Sequence, residues 1–164
     1  MKKIMMIACM MLMSIGAFAQ DSQFAVGANV NYGFASNYKQ VGFGAKFQYE
    51  FIENVRAELG GKYFLKKDGF SVWSGNLNFH YLIPVGESFK VYPILGAALV
   101  GMSPEGGSSE TMFGFNAGAG VEYALNEQLK LEFEAIYQYA KKTKDHIEYK
   151  VDWPIISLGI AYVF

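Results

Sequence analysis

Strict alternation of apolar and polar residues recurs along this chain, and an extended strand with two unlike faces is the structure whose side chains repeat every second residue. In 24–34, Phe24, Val26, Ala28, Val30, Tyr32 and Phe34 share one face, while Gly27, Asn29, Asn31 and Gly33 share the other. In 41–51, Val41, Phe43, Phe47, Tyr49 and Phe51 oppose Lys46, Gln48 and Glu50. The pattern returns in 55–66 (Leu59 and Tyr63 against Arg56, Glu58, Lys62 and Lys66) and in 70–83 (Trp73, Leu77, Phe79 and Tyr81 against Ser74, Asn76, Asn78 and His80). It returns again in 111–123 (Phe113, Phe115, Val121 and Tyr123 against Asn116 and Glu122) and in 129–140 (Leu131, Phe133, Tyr137 and Tyr139 against Lys130, Glu132, Glu134 and Gln138). The chain ends on Ile156, Leu158, Ile160, Tyr162 and Phe164 against Ser157, Gly159 and Ala161. Residues 89–102 are apolar on both faces, and Pro93 has no N–H to give a ladder. A local bulge or a skipped bond is expected there. The total is eight strands, most of them long enough for a tilted bilayer crossing of about 9–11 residues.

The first residues set the compartment. Lys2 and Lys3, an apolar run from Ile4 to Ile15, and Gly16-Ala17-Phe18-Ala19-Gln20 form the three parts of a secretory signal, with the cut expected after Ala19. Residues 1–19 are therefore read as the signal peptide and 20–164 as one β-barrel domain. The only cysteine, Cys9, lies within the apolar run and is not placed to carry a lipid. Subtracting Lys2 and Lys3 from the fourteen basic residues leaves twelve against fifteen acidic ones, so no nucleic-acid-binding face is implied.

Fifty-two per cent of the residues are hydrophobic and 16 per cent aromatic, yet residues 20–164 contain no apolar stretch long enough for a membrane helix. The aromatic residues gather near strand ends. Phe24, Phe51, Tyr81, Phe89, Tyr123, Tyr162 and Phe164 fall at one rim. Tyr32, Phe34, Tyr63, Trp73, Phe113, Tyr139 and Trp153 fall near the other. Two such girdles fit a barrel whose apolar face meets lipid. The turns 52–54, 84–88 and 124–128 are short, and the loops 103–110 and 141–150 are longer and polar. Outer loops 35–40 and 67–69 are short. This asymmetry puts both termini on the periplasmic side.

The chain resembles the small outer-membrane β-barrel family, the OmpA/OmpX-like and porin-like eight-stranded proteins. The resemblance is carried by Tyr92-Pro93-Ile94-Leu95-Gly96-Ala97, by Phe115 to Tyr123, and by Leu158 to Phe164. It implies an all-β, eight-stranded antiparallel up-and-down transmembrane barrel in the outer membrane of a Gram-negative bacterium. It also implies that Leu158, Ile160, Tyr162 and Phe164 are read by the barrel-assembly machinery.

An eight-stranded barrel is just wide enough for side chains to fill it. Lys46, Glu50, Arg56, Glu58, Lys62, His80, Glu122, Lys130, Glu132 and Glu134 are expected to form a lumen charge network, with Glu50 facing Arg56 and Glu122 facing Lys130. Paired charges plugging the lumen are favoured over a small-solute pore, because buried charges need partners. His80, among Asn76, Asn78 and Tyr92, reads as a hydrogen-bonded lumen residue. His146 lies in a loop, so no two-histidine metal set is visible. No catalytic residue, cofactor or metal is assigned. Lys66, Lys67, Lys141, Lys142, Lys144 and Lys150 are candidate contacts with lipopolysaccharide, or simply solvated loop charges. A monomeric structural or porin-like envelope protein is expected. The alternatives are a surface-interaction protein acting through outer loops, as in adhesion or resistance, and a lipid-modifying enzyme.

Overall fold

The computed structural model describes residues 23–35, 38–67, 69–104, 110–144 and 147–164. The expected signal peptide and His146 lie outside them. Eight strands run in sequence: β1 Gln23–Ala35, β2 Tyr38–Ile52, β3 Val55–Lys67, β4 Phe70–Tyr81, β5 Phe89–Pro104, β6 Glu110–Ala124, β7 Leu129–Lys144 and β8 Ile147–Val163. A two-residue piece, Ile83–Pro84, continues β4 in the same register, with Ile83 opposite Val91. Each strand pairs antiparallel with its neighbours in sequence, and β1 pairs with β8 from Ala25↔Val163 to Gly33↔Ile155. Phe164 N donates to Phe24 O at 2.8 Å beyond the last strand pair. The sheet is thus a closed up-and-down barrel with no free edge.

The two faces divide as the alternation requires. Val30, Phe43, Leu59, Leu95, Phe113 and Leu158 point out and are each about half exposed or more, whereas Asn31, Lys46, Glu58, Asn116 and Ser157 are buried inside. The apolar residues therefore clothe the exterior. A continuous apolar band of this kind does not belong on the outside of a protein dissolved in water. Trp153 departs from the expected girdle. It is 3% exposed and points inward with Ile155 and Ser157, the residues that share its parity on β8.

The strand ends near the termini are joined by tight turns. Asn54 adopts a left-handed conformation (φ 65°), and Ile52 stands opposite Val55 after a shift of register from Glu50. The β6–β7 connection is tighter than expected. The Asn126 side-chain oxygen accepts from Gln128 N at 2.9 Å and Leu129 N at 2.8 Å, while Leu125 N donates to Leu129 O at 2.8 Å. This side-chain-closed turn makes Leu131, not Leu129, the partner of Tyr123. Glu122 consequently faces Glu132, and Lys130 faces Ala124. The expected Glu122–Lys130 facing pair is corrected by two residues.

At Pro93 a bond is skipped and no bulge forms. The β5–β6 register runs unbroken through Pro93↔Ala119. On the other side, β4–β5 pairing lapses between His80↔Ile94 and Ile83↔Val91 and then resumes unshifted. The imino nitrogen has nothing to donate there. Leu82 N donates instead to Asn54 O at 2.7 Å.

Candidate functional site

The alternation that turns apolar residues outward sends the polar ones into the lumen, where three zones follow one another along the barrel. Nearest the termini lies a charge network. Lys46 Nζ is 2.7 Å from Glu132, 2.9 Å from Glu134 and 3.3 Å from Glu58. Arg56 Nη1 is 2.5 Å from Glu122 and 3.7 Å from Glu132. Lys130 Nζ is 3.3 Å from Glu122 and 3.4 Å from Glu132. With buried Lys62, four cations (Lys46, Arg56, Lys62 and Lys130) stand against four carboxylates (Glu58, Glu122, Glu132 and Glu134). These buried charges balance one another, and the partly exposed Lys90 also reaches Glu122, at 3.9 Å.

Nine of the ten residues expected in the network are buried in the lumen. Glu50 is the exception. It stands opposite Arg56 in register, but it is half-buried, and Arg56 reaches across the lumen to Glu122 instead. His80 Nδ1 accepts from Arg56 Nε at 3.1 Å, and its ring stacks on Tyr92 at 4.9 Å. Tyr92 O–H donates to Glu134 at 3.2 Å. Ligand atoms of Glu58, His80 and Glu134 lie within 4.8 Å of one another, the one such cluster among the described residues. The Lys46 ammonium already contacts both of these carboxylates, and Arg56 occupies one imidazole nitrogen. A divalent ion would therefore add two charges to a balanced network, and the donor set does not fit one.

The middle zone is made of amides. Asn116 Nδ2 donates to Asn76 and Asn78, both at 2.9 Å, and Gln138 Nε2 donates to Asn76 at 2.9 Å and Asn116 at 3.0 Å. Ser157 Oγ donates to Asn31 at 2.5 Å. Trp153 Nε1 donates to Gln138 Oε1 at 3.2 Å and so joins this zone to the next.

The zone farthest from the termini is apolar. Phe64, Val72, Val100, Met112, Trp153 and Ile155 form one buried cluster, with the Phe64 and Trp153 rings 4.6 Å apart. Buried Gln40 stands at the same level, its amide donating to Phe70 O at 3.2 Å. The sequence reading did not anticipate this plug. Its signal is parity: Phe64 continues the inward series of Arg56, Glu58 and Lys62, and Met112 that of Asn116.

The predicted surface lysines separate by direction. Lys39, Lys141 and Lys150 are exposed and share parity with the outward residues of their strands, whereas β3 shifts register after Phe64, so that Lys67, though exposed, stands opposite Phe70 on the inward parity of β4. Lys66 is exposed within that register shift, and Lys142 ion-pairs with Glu110 at 2.8 Å across the lip of the barrel. The Lys144 side chain lies outside the described residues. The predicted assembly residues Leu158, Ile160, Tyr162 and Phe164 all point outward and are exposed.

A closed barrel that is apolar outside and polar within is a membrane-spanning barrel, since only full closure satisfies every backbone group in lipid. The chain belongs to the outer membrane protein beta-barrel domain family, whose model matches residues 5–164, and it is a protein of the outer membrane. No curated protein matches the sequence. Among solved structures it is similar to Neisserial surface protein A (19% identity, 86% of this chain and 96% of that one, TM-score 0.70). It is also similar to the N-terminal barrel domain of OprF from Pseudomonas aeruginosa (17%, 87% and 97%, 0.66). A third is Ail, the attachment invasion locus protein of Yersinia pestis (18%, 87% and 97%, 0.52). At these identities the likeness is one of fold.

Proposed function

We propose that this protein is a monomeric structural component of the outer membrane, a closed barrel that passes no solute. The observation carrying this reading is the lumen's double filling: a neutral ion network at one end and an apolar plug at the other. In this reading the termini face the periplasm, and the barrel-assembly machinery inserts the chain through its C-terminal strand. The barrel is non-catalytic, because its buried histidine is spent on Arg56 and Tyr92. The test pairs planar-bilayer recording of the purified barrel with envelope integrity of a deletion strain. The expected result is a silent bilayer and a strain more sensitive to detergent. Steady, large single-channel steps would remove the reading, and altered lipid masses in the deletion strain would restore an enzymatic role.

The similarity to Ail, a protein named for attachment and invasion, supports a second reading as a surface-contact protein. The expected loops 103–110 and 141–150 are largely strand, with Lys141 paired to Lys150 and Met102 to Glu110, so cell-binding assays after replacement of the connections 105–109 and 145–146 test it. Undiminished binding would set it aside.

A further inference from the structure

We propose that the lumen contains a buried hydration site between Lys62 and Glu134, where a held water molecule joins the fourth cation to the ion network.

Lys46, Arg56 and Lys130 each contact carboxylates directly. Lys62 does not. It is 7% exposed, and among the described residues its ammonium makes no ion pair and no hydrogen bond. The carboxylates hold a matching exception. Glu58 accepts through both oxygens, from Asn78 at 3.1 Å and Gln48 at 2.9 Å. Glu132 meets Gln48 through Oε1 at 2.9 Å and Lys46 through Oε2 at 2.7 Å. The two Glu122 oxygens face Lys90 at 3.9 Å and Lys130 at 3.3 Å. Glu134 spends Oε1 on Lys46 and Tyr92, and its Oε2 is buried with no protein partner. One bare ammonium and one bare carboxylate oxygen remain, and Glu134 is the carboxylate whose field acts most strongly on Lys62. Neither group is stable in the interior without polar contact. Direct contact would press the Lys46 and Lys62 ammoniums against a single carboxylate. A water that accepts from Lys62 and donates to Oε2 keeps the cations apart and serves nearly as well as a direct bond.

The surrounding residues leave room for it. Lys62 stands opposite Gly44, and Gly44 opposite Asn29. Lys62 and Asn29 each keep 7% of their surface open, while Asn31, Asn78, Asn116 and Gln138 keep none. All of them face inward, so this open surface lies within the wall. Glu134 approaches from the other side, opposite Ser157, which itself faces Asn31. Asn29 Oδ1 accepts from Asn31 at 2.9 Å, and its own amide N–H groups are left to donate. Lys62, Glu134 and Asn29 thus offer the mixed donors and acceptor that a buried water needs. A halide ion in the same place would face the Glu134 carboxylate, so the chemistry selects water.

The test uses the mature barrel in lipid nanodiscs with its lysines labelled by nitrogen-15. The Lys62 signal is the one that K62M removes. It should be that of a protonated ammonium, with a cross-peak to long-lived water that exposed Lys39 lacks. E134Q should shift the signal and abolish the cross-peak, whereas E127Q, in an exposed turn, should leave both unchanged. Exchanging chloride for bromide should change nothing. A neutral amine signal, a missing cross-peak, or a signal lost to rapid exchange with bulk water would overturn the proposal. A shift on halide exchange would also overturn it, by showing an anion site. A high-resolution crystal structure supplies an independent readout, since Lys62 Nζ bonded directly to Glu134 would leave no place for the water. A barrel that conducts in planar bilayers would count against the closed-barrel reading and leave the Lys62 result standing.

Discussion

Glu122 and Glu132 stand directly opposite each other across β6 and β7, two buried carboxylates on one face of a hairpin. Alone, that pairing would push the strands apart. Arg56 from β3 and Lys130 from β7 each contact both carboxylates and hold them together. Replacing Arg56 by Met should therefore cost about 3–5 kcal/mol, because it leaves buried charge uncompensated. Arg56→Met combined with Glu122→Gln should recover part of the loss. Urea unfolding in lipid vesicles measures both. Additive losses would show that Arg56 does not act through Glu122.

In the proposed reading the lumen is stopped twice in series, by ions and by apolar side chains. Opening one stop leaves the other in place. Neither Glu122→Gln with Lys130→Met nor Phe64→Ala with Trp153→Ala should give a steady conductance. The four changes together should give one. Planar-bilayer recording decides, and a channel from the charge variant alone would show that the apolar cluster does not seal.

Gly33 lies under the Trp153 ring, where a Cβ would come 2.8 Å from Cζ3. Gly33→Ala must displace the indole, at about 1–3 kcal/mol. In a Trp73→Phe background the emission of the remaining tryptophan should shift to longer wavelength. Gly61 faces outward with nothing within 4 Å of such an atom, so Gly61→Ala should leave stability and emission unchanged. An unmoved spectrum in Gly33→Ala would contradict the packing of Trp153.

The strands and their two faces were legible in the sequence because lipid outside and polar groups inside impose opposite chemistry on successive residues. Which charges would meet was less so. Glu50 has the right parity and faces Arg56, yet the guanidinium spans the lumen to Glu122, a distance in space that no spacing along the chain encodes. The facing of Glu122 hung on the length of one turn, and a single Asn126 side chain shortened it. Trp153 belonged by parity with Ser157, but its aromatic ring suggested a girdle. The plug it joins was hidden because apolar residues inside a membrane barrel break the rule that reveals the rest.

Phe164 ends the strand that seals the wall, and its side chain lies on the lipid face with those of Leu158, Ile160 and Tyr162. Its deletion should lower the amount of heat-modifiable, protease-resistant barrel in outer-membrane fractions, with degraded or periplasmic chain in its place. Wild-type levels of folded barrel would take the assembly role away from this residue.

The bond from Phe164 N to Phe24 O joins the two extremes of the folded chain. The partners that complete the wall are the first and the last of the described strands. A contact spanning nearly the whole polypeptide is the slowest kind to find, and until it forms β1 keeps one unmatched side ready to pair with any strand that comes near. The molecule cannot be finished piece by piece as it is made. It has to be kept apart from its neighbours and carried incomplete, and its ring has to be shut where it will stay.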